Sequence, residues 1–195
     1  MTFVLASNNA GKLREFEQLF SRLSLEVVPQ AQFGVEDADE TGLSFIENAL
    51  IKARHASDKT HKPAMADDSG IVVPALNGAP GIYSARYSGG GDIANNEKLL
   101  QALDGAEGSD RNAFYVAVIA LVKYQNDPMP IIAEGRWHGR IAQTPAGDGG
   151  FGYDPIFIPD GFDITAAQMT RDKKQSLSHR AIALNALAPK LNDFL

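Results

Sequence analysis

Apolar and polar positions follow two rhythms along the chain. Thr2-Phe3-Val4-Leu5-Ala6 is a short apolar run that predicts a buried strand. Polar Ser7-Asn8-Asn9-Ala10-Gly11-Lys12 reads as a turn, and Leu13, Phe16, Leu19, Phe20 and Leu23 then fall on one helical stripe. Leu25 to Val28 predicts a second strand, stopped by Pro29, and residues 30–43 are acidic and loop-like. Ser44-Phe45-Ile46-Glu47 fits a capping box, in which the hydroxyl and the carboxylate each satisfy an amide of the first helical turn. A helix is expected from there to about Ser57, with Ile46, Ala49, Leu50 and Ala53 as its core stripe.

Ala64-Met65-Ala66 predicts a short strand that ends at Asp67-Asp68-Ser69-Gly70, with Ile71-Val72-Val73 beyond. Leu76 to Gly91 is glycine-rich, shows neither period, and is the expected border between two lobes. Asp92 is placed to cap a helix using Ile93, Leu99, Leu100 and Leu103. Asn112 to Tyr124 is apolar on both faces, which predicts a central strand. Ile131 to Ile141 reads as its antiparallel partner, joined through Asn126-Asp127-Pro128. Pro155 to Ile158 predicts a further strand, and a last helix from about Ser178 turns Ile182, Leu184, Leu187 and Leu191 inward. Strands and helices alternate with both crossover and hairpin connections, so the expected fold class is α/β with a mixed sheet.

Composition narrows the function. The 195 residues carry 44% hydrophobic and 22% charged side chains, and no linker separates two compositions, which implies one domain. The strongly apolar run from Ala113 to Val122 falls short of the roughly 20 residues a bilayer span needs. No secretory signal opens the chain, and with no cysteine at all the sequence points to the cytoplasm. Thiol catalysis and thiolate metal sites are excluded. A net charge of −6 argues against a broad nucleic-acid or membrane surface but leaves room for a local basic pocket.

Five stretches carry candidate chemistry. Ser7 to Lys12 lies between a strand and a helix, where free backbone N–H groups and the helix dipole favour an anion. It is either a phosphate site with Lys12 as point charge or an ordinary turn; Walker A spacing is absent, since Leu13 follows the lysine. Asp67-Asp68 alternate across a strand, so one carboxylate can serve as general base or metal ligand while the other bonds nearby backbone. Glu36 to Glu40 is an acidic run in which one member could hold a hard cation, and Asn48 and Lys52 share a polar helix face that either meets solvent or lines a site. Arg171 to Arg180 contains four Lys/Arg and His179, a cluster suited to a compact polyanion or an electron-rich base. Gly147 to Pro155 is a flexible loop carrying Phe151 and Tyr153, either of which could stack on a base or fill core. His55, His61 and His138 show no ligand spacing, so zinc is not expected; carboxylates with phosphate suit Mg²⁺.

Six stretches in this order resemble the inosine/xanthosine triphosphate pyrophosphatases, most closely the bacterial branch. They are Ser7 to Lys12, Glu40 to Ala49, Ala66 to Gly70, Gly78 to Tyr87, Gly149 to Pro155, and Ser178-His179-Arg180. The resemblance implies an elongated α/β fold with a long mixed sheet, a nucleotide cleft between two lobes, and a homodimer. It implies Mg²⁺-dependent hydrolysis of ITP, dITP and XTP to the monophosphate and pyrophosphate; the net charge adds the expectation of no nucleic-acid or membrane partner. Carried over by position, Asp68 is the general base and a metal ligand with Glu40, for which Asp39 is the adjacent alternative. Ser7, Asn8, Asn9, Ala10, Gly11 and Lys12 hold phosphates, with Lys12 also neutralising developing charge. Lys52 and Ser69 join the substrate-binding set. Phe151, Gly152, Tyr153, Asp154, Lys174, His179 and Arg180 form the nucleotide pocket.

Overall fold

The computed structural model describes residues 2–7, 10–21 and 25–193, without the side chains of 10–12, 15, 18, 19, 192 and 193. The fully buried Phe3, Val4 and Leu5 form β1 (Thr2–Leu5), which leads into α1 (Ala10–Ser21). β2 (Glu26–Pro29) follows and pairs parallel with β1, Val4 opposite Val28. α2 (Phe45–Thr60) then returns the chain to β3 (Ala64–Val72), parallel to β1 on its other side. After α3 (Asp92–Ala102) come β4 (Asn112–Val122), β5 (Ile131–Ile141) and the short β6 (Phe157–Pro159). The six strands run in the order β2-β1-β3-β4-β5-β6, and the antiparallel β5–β6 pair makes the sheet mixed. α4 (Arg171–Leu177) and α5 (His179–Leu187) complete the α/β fold. Among the described residues no helix is long and apolar enough to cross a membrane.

Contacts group the chain into two compact units. The first holds residues 1–68, 117–135 and 183–195; the second holds 69–116 and 136–182. The first unit's core sets Phe3, Phe16, Phe20, Met65, Ile119 and Leu187 together, with Phe3 and Phe20 edge to face at 5.2 Å. The second unit's core gathers Leu99, Leu103, Tyr115, Trp137, Tyr153 and Phe157. Arg111 is buried in it, and its guanidinium donates to the carbonyls of Ile141, Leu103, Ala106 and Ala142, satisfying four acceptors with one side chain. Gly139 lets β5 lie close against β6, since a Cβ there would lie 2.3 Å from the Ile158 carbonyl oxygen.

Several expectations shift. Asp67 and Asp68 do not end a strand: β3 is continuous for nine residues, because the Asp68 carboxylate is satisfied by side chains of α2 and leaves the backbone free to pair. The α2 core stripe is Asn48, Ala49, Ala53, Ala56 and Ser57, not one beginning at Ile46, which is 42% exposed. Capping at Ser44 makes Ile46 the second helical residue and turns it outward. Ile93 is exposed in the same position of α3, where Asn95, Asn96 and Leu99 are the buried residues; Asp92 is the first helical residue and Gly91 the cap. The stretch from Leu76 to Gly91 contains a 3-10 helix at Gly81–Arg86 and lies wholly within the second unit, so it is not the border expected of it. Asn95 fixes it there, accepting from the Ser88 amide and hydroxyl and donating to the carbonyls of Ser84 and Ala85. At the C-terminus, Ser178 breaks the basic stretch into α4 and α5, and Ile182 is half exposed while Ala183, Leu184 and Leu187 are buried.

Candidate active site

The first unit carries a cluster around Asp68. Ser44 caps α2, its Oγ accepting from the Glu47 amide, while the Glu47 carboxylate accepts from the Leu43 amide at 2.9 Å. This start sets Asn48 and Lys52, one turn apart, on the face that meets β3. Asn48 is fully buried; its Nδ2 donates to Asp68 Oδ2 at 3.3 Å, and its Oδ1 accepts from the Gly42 amide at 2.9 Å. Only glycine fits at 42, since a Cβ would come within 2.6 Å of Glu47 Cβ and 2.7 Å of Asn48 Oδ1. Lys52 Nζ donates to Asp68 Oδ1 at 3.0 Å and to Glu40 Oε1 at 2.9 Å. The open reading of Lys52 and Asn48 is thereby decided: both point into the carboxylate cluster rather than solvent.

Burial pushes the Asp68 carboxyl above its ordinary value, and Lys52 offsets only part of that. Burial pulls Lys52 down, but Asp68, Glu40 and Asp67 together outweigh it and hold the ammonium above its usual value. Asp67 is itself buried. Ser69, next on β3, is half-buried. Glu40 and Asp68 converge on one cation, the Lys52 ammonium, and both present hard oxygen donors, the ligand type Mg²⁺ takes; among the described residues no group of three or more His, Cys, Asp or Glu is gathered as a metal site. Asp39 makes no such contact to Lys52.

The strand and the helix expected on either side of Ser7 to Lys12 are present, but the helix begins at Ala10, three residues earlier than the expected turn allows. The Ser7 amide donates to the Leu5 carbonyl as β1 ends, and Ala10, Gly11 and Lys12 are the first three residues of α1, their amides at its N-terminus. Asn8, Asn9 and the Lys12 side chain lie outside the described residues.

The second unit carries a cluster around Asp154. This carboxylate is 2% exposed. Its Oδ2 accepts from the Phe151 amide at 2.8 Å and from Lys174 Nζ, and its Oδ1 accepts from the Tyr115 hydroxyl at 3.3 Å. The Lys174 ammonium also lies 4.5 Å from the centre of the Phe151 ring, a cation–π contact. Gly150 must be glycine, because a Cβ would fall 2.1 Å from Asp154 Oδ2. Gly152 is pinned from α3: its amide donates to Asp92 Oδ2 at 2.7 Å and its carbonyl accepts from Asn96 Nδ2 at 3.1 Å. Of the two aromatics in this loop, Phe151 is 63% exposed and presents its ring, whereas Tyr153 is buried with its hydroxyl on the Ser84 carbonyl. The basic stretch divides likewise. Arg171 and Lys173 face solvent, Lys174 turns to Asp154, and His179 and Arg180 are buried. The His179 ring stacks on Tyr115, 4.8 Å between centres and 11° between planes.

Sequence reasoning missed Tyr115, Asp92 and Asn96 as parts of this cluster. The signals were a hydroxyl in an otherwise apolar strand, an acid at a helix start and an asparagine on that helix's buried side.

The Ham1 family model matches residues 3–190. A dITP/XTP pyrophosphatase of Xanthomonas oryzae pv. oryzae is 54% identical over 191 residues, covering 97% of this chain and 96% of the relative. The structure of a HAM1 protein from Coxiella burnetii superposes with a TM-score of 0.94 at 46% identity, covering 99% of both chains. A nucleoside-triphosphatase/dITP/XTP pyrophosphatase from Mycobacterium abscessus gives a TM-score of 0.83 at 43% identity, covering 98% of this chain and all of that one.

Proposed function

The chain belongs to the Ham1 family, and from that premise we propose that it is a nucleoside-triphosphate pyrophosphatase acting on the deaminated purine nucleotides dITP, ITP and XTP. The products are the monophosphate and pyrophosphate, and the role is to clear such nucleotides from the pool. The observation that carries the proposal is the Asp68 carboxylate, buried and held by Lys52 and Asn48 at the end of a network that reaches Glu40.

In this reading the α1 N-terminus, with Ser7 to Lys12, receives phosphates. The Lys52 ammonium, beside Asp68, attracts the negative charge of the substrate. Glu40 and Asp68 would hold Mg²⁺, which would supply neutralising charge for phosphate oxygens. Asp68 orients and deprotonates a water directed at the α-phosphorus; burial raises its basicity above that of an ordinary carboxylate, the direction a general base needs. Positioning and electrostatics carry the rate, and no covalent intermediate is required. Phe151 stacks on the base and is indifferent to its identity. Lys174, His179 and Arg180 supply donors for the 6-keto oxygen of hypoxanthine or xanthine; facing an adenine amino group, the same donors are left unpaired. Homodimerisation is part of the proposal, supported by the family resemblance, and is checked by the molar mass in solution.

The test is a panel of dITP, XTP, GTP, dATP and ATP with product identification. The expected result is pyrophosphate release with dITP and XTP far ahead of the others. Orthophosphate as first product, or equal rates across the panel, contradicts the proposal.

A further inference from the structure

The Tyr115 hydroxyl is out of place in its strand. From Ala113 to Val122, β4 is otherwise apolar, and a phenylalanine would fill the same volume without burying an oxygen. The ring does core work on one side, edge to face with Phe157 at 4.8 Å. It also stacks with Trp137, 6.4 Å between centres. Two further contacts go to nucleotide-pocket residues. The hydroxyl donates to Asp154 Oδ1, and the ring face lies flat against His179.

Those two contacts fall on soft torsions. The terminal torsions of aspartate and histidine are broad, so burial alone leaves a carboxylate plane and an imidazole plane free to rock. Asp154 Oδ2 is engaged by the Phe151 amide and by Lys174, but the plane stays set only if Oδ1 is also held. Tyr115 supplies that donor. The same ring limits the imidazole of His179 to a parallel setting.

We infer that Tyr115 is a positioning residue for the purine base. Through Asp154 it sets the Phe151 backbone and the Lys174 ammonium; through stacking it sets His179. At 7% exposure it acts through these groups. The inference rests on the reading that Phe151, Lys174 and His179 hold the base.

The test uses Tyr115→Phe and Tyr115→Leu in the full chain, with dITP as substrate and inorganic tripolyphosphate, which has no base, as competitive inhibitor. Tyr115→Phe keeps the stack and loses the hydroxyl, so KM for dITP rises about threefold to tenfold. Tyr115→Leu loses both, so KM rises by about tenfold or more, and Phe in place of Leu restores part of the loss. In both variants kcat stays within about twofold of wild type and the inhibition constant of tripolyphosphate is unchanged, an inhibition a general loosening of the fold would weaken. Ring-proton shifts of His179 in the substrate-free protein should be retained in Tyr115→Phe and lost in Tyr115→Leu. If Tyr115→Leu does not fold, Tyr115→Phe alone decides. An unchanged KM in Tyr115→Phe, or a tripolyphosphate constant that rises in parallel with KM, overturns the inference. Phe151→Ala separates the two levels. If it too leaves KM for dITP unchanged, the pocket reading has failed; if it raises KM while Tyr115→Phe is silent, only the role of Tyr115 has.

Discussion

Asp68 sits under two opposed influences. Burial raises its pKa and the Lys52 ammonium lowers it, with burial the larger. A general base works ionised, so kcat/KM must fall as pH drops through this raised value, which gives the profile its acid limb. Lys52→Gln removes the lowering influence, so its limb should move to higher pH; a limb that stays or moves down means that Lys52 does not tune Asp68. Asp68→Asn keeps the shape and removes the base, and should cost about 10²–10⁴-fold in kcat with dITP binding retained, as read by calorimetry. Treatment with EDTA should abolish turnover and Mg²⁺ restore it, with Glu40→Gln needing more Mg²⁺ for half-maximal rate; full turnover in metal-free buffer would remove the metal from the proposal. Asp68 was visible in the sequence because two adjacent acids on a buried strand are costly unless used. The partnership of Lys52 with both Glu40 and Asp68 was not, since 12 and 16 residues of chain separate them.

α2 connects its capping chemistry to the site. Ser44→Ala removes the acceptor of the Glu47 amide and should cost about 1 kcal/mol of stability in urea unfolding. Because Asn48 and Lys52 lie on the next turn and the one after, the same variant should also lower kcat/KM, while a stability loss without any kinetic effect would separate cap from site. The cap was legible from Ser44 and Glu47 alone, as were the continuous strands β4 and β5, whose patterns are unambiguous. The buried faces of α2 and α3 were not. Large apolar residues, Ile46 and Ile93, suggested the core side, but small alanines and hydrogen-bonded asparagines occupy it. A helix packed closely on a sheet selects for size and for satisfied polar groups, which an apolar period does not report. The glycine-rich stretch from Leu76 to Gly91 was read as structureless because its order comes from Asn95, supplied by another element.

At the scale of the whole molecule, the fold class followed from the alternation of elements, and the family from six short stretches spread over nearly the whole chain. Neither could show that each compact unit holds its own polar cluster, Asp68 with Lys52 in one and Asp154 with Lys174 in the other. Those pairings join residues 16 and 20 positions apart and depend on how β3 and the loop before β6 are seated. The central claim is that Asp68 directs water at the α-phosphorus of a deaminated purine triphosphate. Hydrolysis of dITP in ¹⁸O-water, with the products resolved by mass, tests it most directly. The expected result is one ¹⁸O in the deoxyinosine monophosphate, none in the pyrophosphate, and loss of this reaction in Asp68→Asn. Label in the pyrophosphate, a diphosphate with orthophosphate as products, or undiminished labelling by Asp68→Asn would contradict it.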